Sequence, residues 1–252
     1  MAAAPKETPE PPAARDAAYW AAVTPSLSLG EVPQDAINLN VTGRRQVSPI
    51  QGFGKMWQKT YSVELHGAEV TPQEVIATWK ARFADFWPEG SRFYGPLTGI
   101  NPGDVALLNL TMPGRLKLST GVLVLYADEE SFTLMTPQGH MFAGWITFSA
   151  FERNECTIAQ AQVLMRANDP LYEMGLAMGG HKKEDGFWDH TLTTLAAHLR
   201  ADHAKVNTQV LCVDKRRQWR NARNIRFNAA LRSGAYAMGS PVRALAKPFK
   251  KA

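Results

Sequence analysis

The sequence has few cysteines and no long apolar segment. Its 252 residues include two cysteines, Cys156 and Cys212, which lie far apart and in contexts that suggest no metal-binding spacing. Two reduced thiols are the expected state. No stretch approaches the roughly 18 apolar residues that a membrane-spanning helix needs, and the N-terminus lacks the continuous apolar segment of a signal peptide. The sequence therefore predicts a cytoplasmic protein.

Motifs for nucleotide binding and nucleophilic catalysis are also missing. The sequence contains no phosphate-binding glycine loop with its lysine, and no dinucleotide fingerprint follows a predicted strand. It places no serine or cysteine nucleophile beside a histidine, so a catalytic triad has no support. We therefore predict no cofactor, and the sequence leaves open whether the protein is an enzyme.

Acidic residues are almost absent from the last fifth of the chain. Residues 204–252 contain twelve lysines and arginines against one acid, Asp214, whereas residues 1–203 carry a net charge of −6. Such asymmetry indicates either a segment that binds polyanions or one that folds back on an acidic body. The first 18 residues are rich in proline, alanine and charge, which predicts a disordered tail.

Residues 57–65 alternate between apolar and polar side chains. Trp57, Tyr61 and Val63 share one face, on which Lys59 is the only exception. A period of two predicts a half-buried strand.

A helix is predicted to begin after Thr71, which caps it and forms a capping box with Glu74. An apolar stripe follows at helical spacing, through Trp79 and Phe83 to Trp87.

Between residues 104 and 166 the pattern changes to strands separated by short turns, which predicts an antiparallel meander. The five predicted strands are 105–112, 116–127, 131–136, 141–151 and 155–166. Residues 122–127 are apolar on both faces, so we expect other parts of the chain to cover the sheet on each side.

The remaining segments predict a short helix at 171–178, a long helix at 184–203, a strand at 208–214 and a basic helix at 215–232. The order of elements gives an α+β fold, in which an antiparallel sheet of about six or seven strands wraps a long C-terminal helix. The predicted core includes Trp79, Phe83, Trp145, Trp188 and Leu192.

Several phrases of the sequence resemble an uncharacterised bacterial family related to the START and birch-pollen-allergen superfamily. The phrases are GFGKMWQKTY (52–61), RFYGPLTGI (92–100), STGVLVLYADEESFTLMTPQGHMFAGWITFSAF (119–151), RANDPLYEMG (166–175) and CVDKRRQW (212–219). This resemblance spans roughly residues 40–232 and implies the helix-grip fold, in which an apolar cavity often lies between sheet and helix. The resemblance identifies no catalytic residue in this sequence.

Together these patterns predict four regions. A disordered tail occupies residues 1–18, a helix-grip-like domain residues 19–203, a basic extension residues 204–232, and a loose tail residues 233–252.

Six residues are candidate ligand contacts. His140 follows a predicted turn, where it either binds a ligand or acts as a general base, or only satisfies its neighbours. Gln160 and Gln162 alternate with apolar residues, and face either a cavity or solvent. The aromatic candidates are Tyr61, Tyr126 and Trp145, for which the favoured alternative is a place in the core.

His181, Asp185 and Asp189 recur every four residues and are of ligand type for a metal. The glycines around them weaken the case for a shared helix face. We interpret the set as the charged start of the long helix, where the helix dipole stabilises acidic side chains. We predict no metal site.

The basic segment 215–232 supports two interpretations. Seven basic residues interleaved with Trp219 and Phe227 suit a nucleic acid or an anionic membrane. Three asparagines interrupt the charge, and an apolar stripe suits docking on the acidic body. We favour docking.

The leading functional hypothesis is a binding protein for a small apolar molecule, held between the sheet and the helix at 184–203. The alternatives are a cyclase- or hydrolase-like enzyme that uses the same cavity, and a protein that binds polyanions or membranes through residues 205–251. Oligomeric state is not indicated by the sequence.

Overall fold

A computed structural model describes residues 17–30, 32, 36–96, 99–111 and 117–239. Eight strands form one antiparallel sheet, in the order β2-β3-β4-β5-β6-β7-β1-β8. The strands are β1 (Met56–Glu64), β2 (Arg92–Tyr94), β3 (Val105–Thr111), β4 (Lys117–Ala127), β5 (Ser131–Met135), β6 (Phe142–Arg153), β7 (Cys156–Ala167) and β8 (Val206–Asp214).

Four α-helices accompany the sheet: α1 (Pro72–Ala81), α2 (Pro170–Gly175), α3 (His181–His198) and α4 (Ala229–Met238). A π-type segment at Leu176–Gly180 joins α2 to α3, and 3-10 turns occupy Ala17–Tyr19, Pro49–Gln51, Phe83–Phe86 and Trp219–Phe227. An antiparallel sheet that packs its inner face against a long helix is the helix-grip fold, so the predicted fold is confirmed. The described sheet has eight strands, more than predicted, because the three-residue β2 was missed.

Helix α1 begins as the sequence predicts and ends earlier. Thr71 Oγ1 accepts a hydrogen bond from the Glu74 amide, and the Glu74 carboxylate accepts one from the Thr71 amide. Arg82, at φ −123° and ψ 24°, leaves the helix. The 3-10 turn that follows buries Phe83 and Phe86, so the predicted stripe is real although the helix does not continue to residue 87.

An aromatic cluster fills one part of the inner side of the sheet. The rings of Phe132 and Phe148 stack with centroids 4.6 Å apart, and Trp79 meets Phe148 edge-on at 5.0 Å. Phe83 packs on both phenylalanines. Leu192 of α3 joins this core and has no exposed surface. The helix-on-sheet packing that the apolar stripes predict is therefore present.

Two of the five predicted core residues are not fully buried. Trp79, Phe83 and Leu192 are buried, whereas Trp145 and Trp188 are only partly buried. Trp188 still packs on Phe148 at 5.5 Å. Trp188 borders the cavity, and Trp145 lies on the outer face of β6 next to inward-facing Ile146, which is why burial at these two positions is incomplete.

The outer face of β3 and β4 is covered by the N-terminal segment. Leu27 and Val41 pack against Leu107 of β3 and Leu123 of β4 in a second buried cluster. On the inner face, Val122 belongs to the main core. Strand β4 is therefore buried on both sides, as its doubly apolar pattern predicts.

Strand β8 pairs antiparallel with β1 and extends the sheet beyond it. Arg166 of β7 is buried, and its Nη2 donates to Asp214 Oδ2 of β8 at 2.6 Å. Its Nη1 donates to the carbonyl oxygens of Gly54 and Arg216. One arginine thus holds three segments of the chain together.

The segment after β8 differs from the predicted helix over residues 215–232. It contains a 3-10 stretch at Trp219–Phe227, followed by α4, which continues to Met238. Residues 233–238 are therefore helical, and the rest of the predicted loose tail, 240–252, lies outside the described residues, as do residues 1–16 of the predicted N-terminal tail.

Three asparagines fix this segment on the body. Asn221 Nδ2 donates to the Gly52 carbonyl oxygen at 2.8 Å, and Asn224 Nδ2 donates to the carbonyl oxygen of Gln51 at 2.8 Å. Asn228 is fully buried and donates to Asp169 Oδ2 at 2.8 Å. The arginines at 220, 223 and 226 stay exposed. The asparagines that interrupt the charge are thus among the contacts with the body.

Among the described residues, no helix is both long enough and apolar enough to cross a membrane.

Candidate functional site

A cavity of about 380 Å³ lies between the inner face of the sheet and the start of α3. Its sheet wall consists of aliphatic side chains at inward positions of five strands: Leu110, Val122, Leu134, Ile146, Val163 and Met165. The α3 wall includes Phe187 and Trp188, and Trp87 closes a third side. The walls are therefore mostly apolar.

The cavity reaches the surface beside the irregular segment between α2 and α3. Met178 lines the cavity and is 80% exposed. Gly179 follows at φ +106°, a left-handed conformation that suits glycine and interrupts the helix. Lys183 is exposed at the same rim. The break between the helices therefore borders the opening of the cavity.

His140 lines the cavity from a tight turn that the C-terminal extension supports. Gly139 has φ +93°, and a side chain there would collide with the Phe227 carbonyl oxygen. The Ala229 amide donates to the Gly139 carbonyl oxygen at 2.9 Å. The turn that positions His140 therefore requires both a glycine and the extension.

The imidazole of His140 is buried and neutral. Its Nδ1 lies 3.0 Å from the Phe142 amide nitrogen and 3.2 Å from the Phe142 carbonyl oxygen. Burial lowers the pKa of His140 to about 4, because a charged ring loses its hydration. In the described part of the chain, no carboxylate or nucleophile is hydrogen-bonded to the ring. The arrangement therefore does not support a catalytic dyad.

Of the six candidate contacts, His140 and Trp145 border the cavity, and the other four do not. The side chain of Trp145 nevertheless lies on the outer face of β6, because its neighbour Ile146 faces inward. Gln160 and Gln162 lie on the outer face of β7, because Ala161 and Val163 face inward and side chains alternate along a strand. Gln162 Nε2 donates to Thr60 Oγ1 at 3.3 Å. Solvent-facing glutamines, the second interpretation above, match this placement.

The two tyrosines among the candidates are structural. Tyr126 lies on the outer face, packs on Trp20 with centroids 4.7 Å apart, and donates to Asp128. Tyr61 is fully buried, and its hydroxyl donates to Asp185 Oδ1 at 2.7 Å. Burial and the nearby carboxylates, first Glu184, raise the pKa of Tyr61.

A buried ion cluster that the sequence analysis missed adjoins the cavity. Lys59 Nζ donates to Glu184 Oε2 at 2.9 Å and to Asp185 Oδ1 at 2.7 Å. The side chains of Lys59 and Glu184 are 1% and 6% exposed. Glu184 lines the cavity, and burial raises its pKa to about 7, although Lys59 acts in the opposite direction. A signal existed in the sequence: Lys59 stands on an apolar strand face and needs an acidic partner.

His181, Asp185 and Asp189 do not form a common site. Asp185 pairs with Lys59, the His181 ring packs against Trp57 at 4.9 Å, and Asp189 is exposed. The described residues contain no group of three or more side chains arranged to hold a metal ion. The prediction that these acids are solvated is right for Asp189, which is exposed. It is wrong for Asp185, because Asp185 forms an ion pair with buried Lys59.

No family model matches the sequence, and no curated protein matches it. Solved structures do match. A START superfamily protein from Mycobacterium smegmatis is 17% identical, with 58% of this chain and 98% of that chain covered and a TM-score of 0.40. Major latex-like protein 151 from Panax ginseng is 13% identical, with 57% and 98% covered and a TM-score of 0.40.

A third match is the di-domain ARO/CYC protein StfQ from the steffimycin biosynthetic pathway. It is 9% identical, with 58% of this chain and 51% of that chain covered and a TM-score of 0.46. The START superfamily, to which the sequence bears a resemblance, is thus among the matched structures.

Proposed function

We propose that the protein binds a small apolar molecule in the cavity between the sheet and α3. The observation that carries this proposal is a cavity of about 380 Å³ with aliphatic and aromatic walls. Apolar clefts of a few hundred cubic ångströms with few polar groups are typical of small-molecule sites. Protein interiors are otherwise close-packed, so a void of this size needs a reason.

The proposal favours binding over catalysis because the polar groups do not converge. A hydrolytic or acid–base site needs a nucleophile or a second titratable group within hydrogen-bonding reach of the base. The His140 ring is instead hydrogen-bonded to the backbone of Phe142. The carboxylate of Glu184 is paired with Lys59.

A neutral fluorescent probe, N-phenyl-1-naphthylamine, tests the proposal. Its emission increases in apolar surroundings, and Trp87 and Trp188 line the cavity as energy donors. We expect saturable binding by the wild-type protein. Ile146→Trp fills the cavity from the sheet wall and should weaken probe binding by about tenfold or more.

Leu211→Trp is the matched control. Leu211 lies on β8, is 59% exposed and does not line the cavity. The substitution adds the same indole without filling the cavity, so the affinity for the probe should stay at the wild-type value. Equal binding by both variants and the wild type would show that the probe binds elsewhere. Native mass spectrometry of protein from its own host would then reveal whether a molecule co-purifies.

A further inference from the structure

Glu184 holds a hydrogen-bond acceptor for which the described residues provide no donor. Its Oε2 accepts from Lys59, but its Oε1 is buried and has no hydrogen-bond partner. The side chain is 6% exposed and lies in the cavity wall. A buried carboxylate oxygen without a partner is costly, so such atoms in native proteins call for an explanation.

The ion cluster has no further donor to offer. Lys59 Nζ carries three hydrogens, and it lies near three acceptors: Glu184 Oε2, Asp185 Oδ1 and, at 3.5 Å, the carbonyl oxygen of His181. The Tyr61 hydroxyl is committed to Asp185. His181 Nδ1 is also buried without a partner, but it lies 4.0 Å from Glu184 Oε2 and makes no hydrogen bond to either oxygen of that carboxylate. No group of the cluster therefore donates to Glu184 Oε1, and the cavity is the neighbouring space from which a donor can come.

We propose that Glu184 is the polar anchor of the cavity and that it selects apolar molecules bearing a hydroxyl group, which donates to Oε1. This inference rests on the proposed function and specifies the ligand class of that site. Among the described residues of the cavity wall, only Glu184 Oε1 and Trp87 Nε1 are buried polar atoms with unmet hydrogen bonds.

The charges of the cluster and the few acceptors of the cavity wall argue against the two ionic alternatives. Lys59 is one cation beside two carboxylates, Glu184 and Asp185, so a ligand carboxylate would bring a third anion into a buried site. A ligand ammonium carries three donors, whereas the described cavity wall offers one side-chain acceptor without a partner, Oε1, so the other donors would be buried against apolar walls. A hydroxyl is neutral, and it donates to the ionised form of Glu184 or accepts from the protonated form.

Two probes with the same apolar body test the proposal. 2-Naphthol carries a hydroxyl where 2-methylnaphthalene carries a methyl group of similar size. Calorimetric titration of the full-length protein at pH 8 should show that 2-naphthol binds about tenfold more tightly, as one hydrogen bond to a charged group implies. 2-Naphthoate should bind more weakly than 2-naphthol.

Glu184→Met removes the acceptor and keeps the approximate size of the side chain. Asp185 remains to pair Lys59, so the variant should fold, which its melting temperature will show. The preference for 2-naphthol should then disappear while the affinity for 2-methylnaphthalene is retained. Glu184→Gln provides a second variant, in which the amide oxygen keeps part of the preference. Asp189→Asn changes a charge on an exposed position of the same helix and should alter neither affinity.

The outcomes separate this inference from the proposed function. Binding of both probes with equal affinity to the wild type would overturn the role of Glu184 and leave the cavity as the binding site. The role of Glu184 would also be overturned if Glu184→Met kept the preference for 2-naphthol, or if 2-naphthoate bound the wild type more tightly than 2-naphthol. If neither 2-naphthol nor 2-methylnaphthalene bound the wild type, the proposed function would be overturned, and this inference with it.

Discussion

The inner side of the sheet has two halves that the chain fills in different ways. In the packed half, side chains of α1, the 3-10 turn after it and α3 meet the sheet: Trp79, Phe83, Phe132, Phe148 and Leu192. In the hollow half, the aliphatic wall of the sheet faces the cavity, because α2 and α3 separate at Gly179. One sheet therefore provides both a core and a binding space.

The hollow half is supported from outside by the C-terminal extension. The Ala230 amide donates to the Tyr172 hydroxyl at 3.0 Å, and Arg217 pairs with Glu173 at 3.0 Å. Both partners belong to α2, and the extension also contacts the turn that carries His140. The comparison indicates that the packed half is stabilised by its own side chains, whereas the walls of the cavity depend on a segment outside the sheet–helix core.

The largest expected effect follows from removing this support. Truncation after His203 deletes β8 and the segment beyond it, and leaves buried Arg166 without Asp214. Loss of one partner of a buried ion pair costs about 3–5 kcal/mol, and the walls of the hollow half lose contacts as well. We expect a large drop in melting temperature and loss of probe binding.

Truncation after Gly239 is the control, because it keeps the whole described extension. Its melting temperature should equal that of the full-length protein. In hydrogen exchange, the amides of residues 208–214 that pair with β1 should be protected. If truncation after His203 left stability unchanged and these amides exchanged rapidly, the extension would be free, and a role in binding polyanions would gain support.

A matched pair of leucine substitutions compares the two halves directly. Leu192→Ala in the packed half should cost about 2–5 kcal/mol, because it opens a void in a close-packed core. Leu110→Ala in the hollow half should cost about 1 kcal/mol, because the side chain already borders empty space and loses mainly its transfer free energy. Chemical denaturation of both variants measures the two costs. Equal costs would show that side chains fill this space in solution and that Leu110 does not border a cavity.

Patterns along the chain predicted most of the fold, because strands and helices leave local signatures. The alternation at residues 57–65 and the capping box at Thr71 each depend on neighbours within a few residues. The sequence missed β2, since three residues are too few to show a period. The cavity was expected only from the resemblance, because a void depends on how far α2 and α3 separate and not on any single residue.

The candidate site was predicted less well. His140 lines the cavity, but the side chains of Trp145, Gln160 and Gln162 lie on the outer face of the sheet. The alternation of apolar residues along β7 was sufficient to assign the two glutamines to that face. The Lys59–Glu184 pair joins residues 125 positions apart. Its only signal is a lysine on an apolar strand face, and the identity of the partner requires the folded structure.

The titration of Glu184 sharpens the comparison within the hollow half. Its pKa is raised from 4.5 to about 7, so the folded state takes up a proton more readily than the unfolded state. This contribution to stability is fully present below pH 4.5 and is lost as pH rises through about 7. Relative to Glu184→Gln, the wild-type free energy of unfolding should fall over that range by up to about 3 kcal/mol.

His140 should show the opposite dependence. Burial lowers its pKa from 6.5 to about 4, so protonation favours the unfolded state. Stability from this group is present above pH 6.5 and is lost as pH falls towards 4. Relative to His140→Gln, the wild type should therefore lose stability on acidification. The free energy of unfolding of the wild type, Glu184→Gln and His140→Gln, measured from pH 4 to 8, separates the two titrations. If the pH dependence of a variant matched that of the wild type, the residue replaced in that variant would not have the shifted pKa.

The smallest effect is expected on the outer face of the same strands. Gln160 of β7 lies opposite Ser62 of β1 and Ser149 of β6, on the face away from the cavity. Gln160→Ala should change the free energy of unfolding by less than about 0.5 kcal/mol, as is usual for partly exposed polar positions. It should leave the affinity for N-phenyl-1-naphthylamine unchanged. Trp188→Ala, which removes a ring from the cavity wall, should lower that affinity and the energy transfer to the probe. An effect of Gln160→Ala on binding as large as that of Trp188→Ala would show that the ligand occupies the outer face, and would reverse the assignment of the two faces.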